Sequence, residues 1–280
     1  TALSNGKTDT LKQIENVIGT IRADSITGDE KANTIFAGDD NDIIIGLDGA
    51  DYIDGGAGVD TVDYSAGTAG LKIDLSTTQT IGTASTYRVQ NDGFGNQEFV
   101  DGVENVIGTN LVDTIIGNSE DNKLEAGSGD DTIYGGAGAD TLVGGLGADT
   151  FKGGLGDDII YGNAESTSSV DSSRDVIDFS TASTAIKVNL SSTVSSIALS
   201  AESSFTLATQ TSIGEGTDKL YDIQDVIGSV GQDTLVGDNT SNSLVGGGDN
   251  DLLIGSGGAD ILIGGDGNDI VHGNENNDTI

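Results

Sequence analysis

An apolar residue returns at every ninth position over most of the chain. The register runs through 10–63, 99–161 and 219–280, and its recurring column includes Val17, Ile26, Ile35, Ile44 and Ile53 early and Leu253, Leu262, Val271 and Ile280 late. Each of these stands between two residues of mixed character, the pattern of a three-residue strand turning its middle side chain inward. A strand that short cannot fold alone. Two consecutive lines make one coil of 18 residues, with two strands back to back and a turn at each end, and coils stack at about 4.8 Å. The predicted class is all-β, a parallel β-roll. A flexible Gly/Asp linker would keep no such phase.

The turns carry the chemistry. Residues 135–161 read GGAGADTLV, GGLGADTFK and GGLGDDIIY, so that paired glycines precede a carboxylate in the sixth position of each line. Glycines permit positive φ and let backbone carbonyls face one point, and oxygen-only ligands suit a hard cation. The sixth-position carboxylates are Asp24, Asp42, Asp51, Asp60, Asp113, Asp131, Asp140, Asp149, Asp158, Asp233, Asp251, Asp260, Asp269 and Asp278. Asn33, Asn122 and Asn242 fill the same place with a neutral amide and are expected to bind more weakly. Carboxylates stacked at about 4.8 Å repel by roughly 1 kcal/mol per neighbouring pair in water and by about 3 to 4 at an effective dielectric of 20. A cation between loops turns that repulsion into attraction.

These lines resemble the RTX (repeats-in-toxin) nonapeptides, G-G-x-G-x-D-x-U-x with U apolar. The resemblance implies a roll loaded with multiple Ca2+ ions, export of the unfolded chain through a bacterial type I secretion channel, and calcium-driven folding outside the cell. The resemblance also implies a C-terminal secretion signal, and because the sequence starts without Met and stops in mid-line at Asp278-Thr279-Ile280, it is expected to be a fragment of something longer.

A larger repeat lies above the nine-residue one. The words IENVIG, VENVIG and IQDVIG recur at 14–19, 103–108 and 223–228, and the sixth positions then follow the order Glu15, Asp24, Asn33, Asp42; Glu104, Asp113, Asn122, Asp131; Gln224, Asp233, Asn242, Asp251. The predicted organisation is a first block at 1–63, a β insertion at 64–98, a second block at 99–161, a loop and β insertion at 162–218, and a third block at 219–280. The opening lines, poor in glycine, are expected to cap each block. In the first insertion LKIDL at 71–75 alternates as a half-buried strand, expected to pack on the roll and to pair with TYRVQ at 86–90. In the second, DVIDFS at 175–180 echoes TVDYS at 61–65, IKVNL at 186–190 repeats the theme, and Ile197/Leu199 and Phe205/Leu207 stand at strand spacing. In the third block Leu252/Ile254 and Ile261/Ile263 are apolar at outward positions, which points to a cover or a protein contact.

Composition narrows the function. The chain of 280 residues has 46 Asp plus Glu against 11 Lys plus Arg, for a formal charge of −35, which argues against nucleic acid and anionic membranes and for cations. With no Cys, Met, Pro or Trp, there is no disulfide framework or thiol chemistry. No apolar run approaches a membrane span, so no membrane insertion is expected. The single histidine, His272, sits at an outward position, and neither a GxSxG nor an HExxH word occurs, so no catalysis is expected in this segment. The lattice of acidic pairs such as Asp130/Asp131 fits calcium better than glycosidase carboxylates. The outward positions, such as Thr34, Ile43, Tyr52 and Thr61, are too irregular for an ice-binding array. Two roles stay open. One is a structural segment of a secreted or cell-surface bacterial protein, an S-layer or adhesin scaffold that self-associates into an array or meets surface polysaccharide. The other is an accessory RTX folding and secretion module of a secreted hydrolase, protease or polysaccharide-modifying enzyme.

Overall fold

The computed structural model describes residues 14–76, 89–163, 173–191, 196–199, 203–206, 211–213 and 216–280. Every regular element among them is a β-strand. The nine-residue lines alternate between two faces, and within a block each strand pairs in parallel with the strand 18 residues away. Ile115 aligns with Ile133 and Ile133 with Phe151 on one face; Leu124 aligns with Leu142 and Leu142 with Ile160 on the other. The inward column of both faces forms one continuous core from Ile26 to Leu262, fully buried over most of its length. Ile280, in the same column on the last line, is 76 % exposed.

One face is a single sheet of 13 strands from Ser25–Thr27 to Ile270–Asn274. The other comprises a four-stranded sheet ending at Phe99–Asp101 and a nine-stranded sheet ending at Val89–Asp92, linked by an antiparallel bridge between Val89 and Glu98. The three predicted blocks are therefore joined edge to edge. Thr61–Asp63 pairs with Asn105–Ile107, and Ile159–Tyr161 with Thr217–Tyr221.

This arrangement corrects three expectations. The opening lines of the second and third blocks do not cap a free end, since both lie inside continuous sheets. LKIDL does not pack on the roll; Leu71–Asp74 is a rung of it, with Ile73 in the inward column opposite Ile115. Its antiparallel partner is Val89–Asp92, slightly later than 86–90, of which 86–88 lie outside the described residues. Lys187–Asn189 does the same in the second insertion, where Val188 stands opposite Leu235. The physical reason is shared. An accessory strand carrying the inward column can hide its apolar residues and satisfy its backbone only by entering the ladder.

Ser196–Leu199 and Ser203–Thr206 form an antiparallel hairpin. Leu207, residues 164–172 of the loop expected in the second insertion, and residues 1–13 lie outside the described residues. Of the outward apolar residues, Ile254 is buried with Val236 and Leu252, whereas Ile261 and Ile263 are half exposed.

Candidate metal centre

The glycine turns have a geometry fixed by stacking. Gly145 and Gly147 have φ of +117° and +127°, and a Cβ on either would collide with the backbone carbonyl of Gly127 or Gly129, one coil earlier. Only glycine meets both demands without strain. The coil imposes the same hand even where glycine is missing, as at Leu47 (68°) and Ser256 (75°).

The sixth-position carboxylate stitches coil to coil. Its Oδ1 accepts the amide of the sixth residue one coil earlier: Asp131 N donates to Asp149 (2.9 Å), Asp140 N to Asp158 (2.9 Å), Asp42 N to Asp60 (2.8 Å) and Asp233 N to Asp251 (2.8 Å). The ladder takes in Asp24, Asp51, Asp113, Asp260, Asp269 and Asp278 and the three asparagines as donors or acceptors. Glu104 and Gln224 fill the acceptor place at the block starts, receiving the amides of Asp60 and Asp175.

The second oxygen separates two kinds of loop. In Asp42, Asp51, Asp60, Asp131, Asp140, Asp158, Asp251 and Asp260, Oδ2 is buried and has no hydrogen-bond partner. In Asp60, Asp140, Asp251 and Asp260 it lies against the first glycine of its own line, where the carbonyl of the next coil also points: a Cβ on Gly135 would meet both Asp140 Oδ2 and the Gly153 oxygen, and one on Gly255 both Asp260 Oδ2 and the Gly273 oxygen. A buried carboxylate oxygen beside a carbonyl, with no donor for either, costs free energy until a cation supplies the missing charge. By contrast, Asp24, Asp113 and Asp233 have Oδ2 occupied by the amides of Thr20, Thr109 and Ser229, each at 2.6 Å, and the Thr109 and Ser229 hydroxyls also bond Oδ1 of Asp113 and Asp233. Asn33, Asn122 and Asn242 likewise accept the amides of Asp29, Asn118 and Asp238. The protein closes these loops with its own donors.

Burial pushes the Asp131 and Asp158 carboxyls up to about 7 and those of Asp51, Asp140 and Asp251 up to about 6. Asp42, Asp60, Asp113 and Asp260 are raised by the same cause. Acidic neighbours add to it, as Asp113 and Asp130 do for Asp131. Asp269 and Asp278 stand at the last coils, half buried.

Three ligand-phase acids escape a search for glycine pairs. Asp175 accepts the Asp149 amide (3.0 Å), Asp218 accepts the Asp158 amide (3.1 Å), and Glu98 stands beside Asp51 because Phe99 aligns with Tyr52. Their only local signal is an acid two places before an inward apolar residue: Asp175/Ile177, Asp218/Leu220 and Glu98/Val100.

Among the described residues no three acidic or histidine side chains converge as a metal cluster. Any cation held here draws on carboxylates of one line and carbonyls of the next, an all-oxygen set that fits calcium and not zinc. The family described as RTX calcium-binding nonapeptide repeat (4 copies) matches residues 18–52, 37–68, 107–142, 134–166, 227–262 and 245–280, more than half of the chain. Among curated proteins none matches.

Proposed function

The chain belongs to the RTX calcium-binding nonapeptide-repeat family, and from that premise we propose that it is a calcium-folded structural segment of a secreted bacterial surface protein, of the S-layer or adhesin kind. RTX repeats bind Ca2+ at multiple sites and are typical of secreted proteins. No helix among the described residues is long and apolar enough to cross a membrane.

The observation that carries the reading is the row of buried, partnerless Oδ2 atoms in lines whose second residue has positive φ. Calcium supplies the positive charge those oxygens lack. The chain does the rest: the ladder through Oδ1 fixes each carboxylate, the positive-φ turns aim carbonyls beside Oδ2, and the inward column keeps adjacent turns in register. On this reading the 1–63, 99–161 and 219–280 blocks bear the cation loops, and the insertions at 64–98 and 162–218 lock them together. Since calcium would bind the ordered coils and not the open chain, it stabilises them by mass action. A chain with −35 formal charges is thereby kept open at submicromolar calcium and closed at about millimolar calcium, the range of extracellular modules.

A scaffold role is supported by edge-to-edge joining of the blocks and by the half-exposed Ile261 and Ile263 on an outward face. The test is a calcium titration from chelator to about 5 mM, followed by far-UV circular dichroism and sedimentation velocity. β-Structure gained with calcium and growth into large ordered species are expected. A spectrum unchanged by calcium overturns the calcium-folded reading. Compaction to a monomer that never assembles overturns the scaffold and moves the assignment to an accessory module of a secreted enzyme.

A further inference from the structure

The two insertions carry the same strand program with one paired difference. Asp63-Tyr64-Ser65 leads to the rung Leu71–Asp74, and Asp178-Phe179-Ser180 leads to Lys187–Asn189. Each insertion then returns to the roll through an acid in ligand phase, Glu98 in the first and Asp218 in the second. Tyrosine goes with glutamate, and phenylalanine with aspartate.

The first combination leaves an unusual pair of oxygens. Glu98 is fully buried, and its Oε2 accepts the Tyr64 hydroxyl at 2.7 Å, which fixes the side chain. Its Oε1 has no partner, and neither has Asp51 Oδ2, on a side chain 3 % exposed. Both face the same point: a Cβ on Gly46 would lie 2.5 Å from Asp51 Oδ2 and 3.4 Å from Glu98 Oε1. At the equivalent glycine of ordinary lines, such as Gly135, that second neighbour is a backbone carbonyl. A full carboxylate therefore replaces a neutral dipole. At Gly153, the matching place before the second insertion, the nearest atoms all belong to Asp158.

We propose that the first insertion completes a divalent-cation site outside the nonapeptide pattern, in which Asp51 Oδ2 and Glu98 Oε1 hold one calcium ion and Tyr64 positions Glu98. The inference rests on the calcium reading above. Two carboxylates at one hard cation in a buried setting bind more tightly than one carboxylate with carbonyls, because affinity follows ligand charge count and rigidity. The loop behind the site is braced: Asp92 Oδ1 accepts the amides of Phe94, Gly95 and Asn96, and Asn96 Nδ2 bonds both Asp92 and Asp48. This site fills first and gives the first block its folded edge before the repeat loops load.

The test is calorimetric calcium titration of the full chain, with terbium luminescence excited through tyrosine as a second readout. In the wild type, one calcium is expected to bind at least about tenfold more tightly than the rest. Glu98→Gln is expected to abolish that tightest site and leave the repeat loops and the calcium-loaded spectrum in place. Tyr64→Phe, which keeps both carboxylates, is expected to weaken it several-fold and to lower the first phase of terbium emission. Glu125→Gln, whose carboxylate pairs with Lys123 at the surface, removes the same charge elsewhere and is expected to change neither. Unchanged stoichiometry and affinity in Glu98→Gln overturn the proposal. If Glu98→Gln fails to fold at saturating calcium, unchanged affinity in Tyr64→Phe overturns it instead. A wild type that binds no calcium defeats the broader reading, an outcome distinct from both.

Discussion

The loops of Asp113 and Asp140 lie in the same stretch of the roll and differ in who satisfies the carboxylate. At Asp113 a threonine in the second place of the line donates both its amide and its hydroxyl, so the loop is complete as a protein structure. At Asp140 the second place is Gly136, with φ of +117°, and Oδ2 is left without a donor. The backbone at that second place decides whether a turn is finished by the chain or by a cation: it has positive φ in the open loops, at Leu47 and Ser256 as well as at the glycines, and not at Thr20, Thr109 or Ser229. Each block opens with a closed loop and ends in open ones, so a folded nucleus is available beside every run of calcium loops.

That contrast can be broken most forcefully at an open loop. Asp140→Ala removes both the unpaired oxygen and the acceptor for the Asn122 amide, and is expected to raise the calcium midpoint of folding by about tenfold, since a hard cation loses a charged ligand. Circular dichroism during calcium titration reads it, and an unmoved midpoint would remove Asp140 from the site. Acid offers a second route. Asp131 and Asp158 at about 7, and Asp140 and Asp251 at about 6, hold their protons more tightly in the folded metal-free chain than their ordinary value of 3.8 allows in the open one. Folding therefore takes up protons. The metal-free roll is expected to gain stability as pH falls from about 7 toward 4, and to lose it as pH rises through the folded values. With calcium present the sign reverses, because protons compete for the same oxygens. Chelated protein scanned at pH 7 and pH 5 checks the first half, and a calcium midpoint independent of pH would refute the second.

The closed loops should respond differently. Asp113→Ala strands the amides of Leu71 and Thr109 and is expected to cost about 1 to 3 kcal/mol in denaturant titrations at saturating calcium, with little change in the number of ions bound. A lost calcium would show that this loop is open after all. The smallest effect is expected from Asn122→Asp. Its Oδ1 already accepts the Asn118 amide and its Nδ2 donates to Asn118 Oδ1 at 3.1 Å, so the added charge should lower the calcium midpoint by only about twofold. No change at all would remove Asn122 from the ligand set.

The period, the two faces and the inward column were legible because each nine-residue line carries its own turn, acid and apolar residue within a span that the sequence displays directly. Asp131, Asp140 and Asp158 stood out for the same reason. Thr20, Thr109 and Ser229 replace glycine in the second place at Asp24, Asp113 and Asp233, but so does Ser256 at the open loop of Asp260, so the closed state was not legible from residue type alone, and the glycine deficit suggested caps instead. Glu98, Asp175 and Asp218 were hidden because the insertions drop the glycines and shift the phase. Nothing local marks Leu71 or Ile186 as a rung. Their register is set by hydrogen bonds from their amides to Asp113 and Asp233, 42 and 47 residues further on.

Those long reaches impose a timetable on a chain that emerges from one end. An ordinary coil finds its neighbour 18 residues later, as Asp140 finds Asp158, so growth can keep pace with emergence. At the insertions it cannot: the amide of Asp158 waits for Asp218, 60 residues on, at a closure cost about 1 kcal/mol above that of a plain coil. The rung at Leu71–Asp74 has no place until Thr114–Ile116 arrives. For a chain folding as it emerges N-terminus first, the separations predict assembly in bursts with two pauses, the insertions acting as the punctuation of vectorial folding.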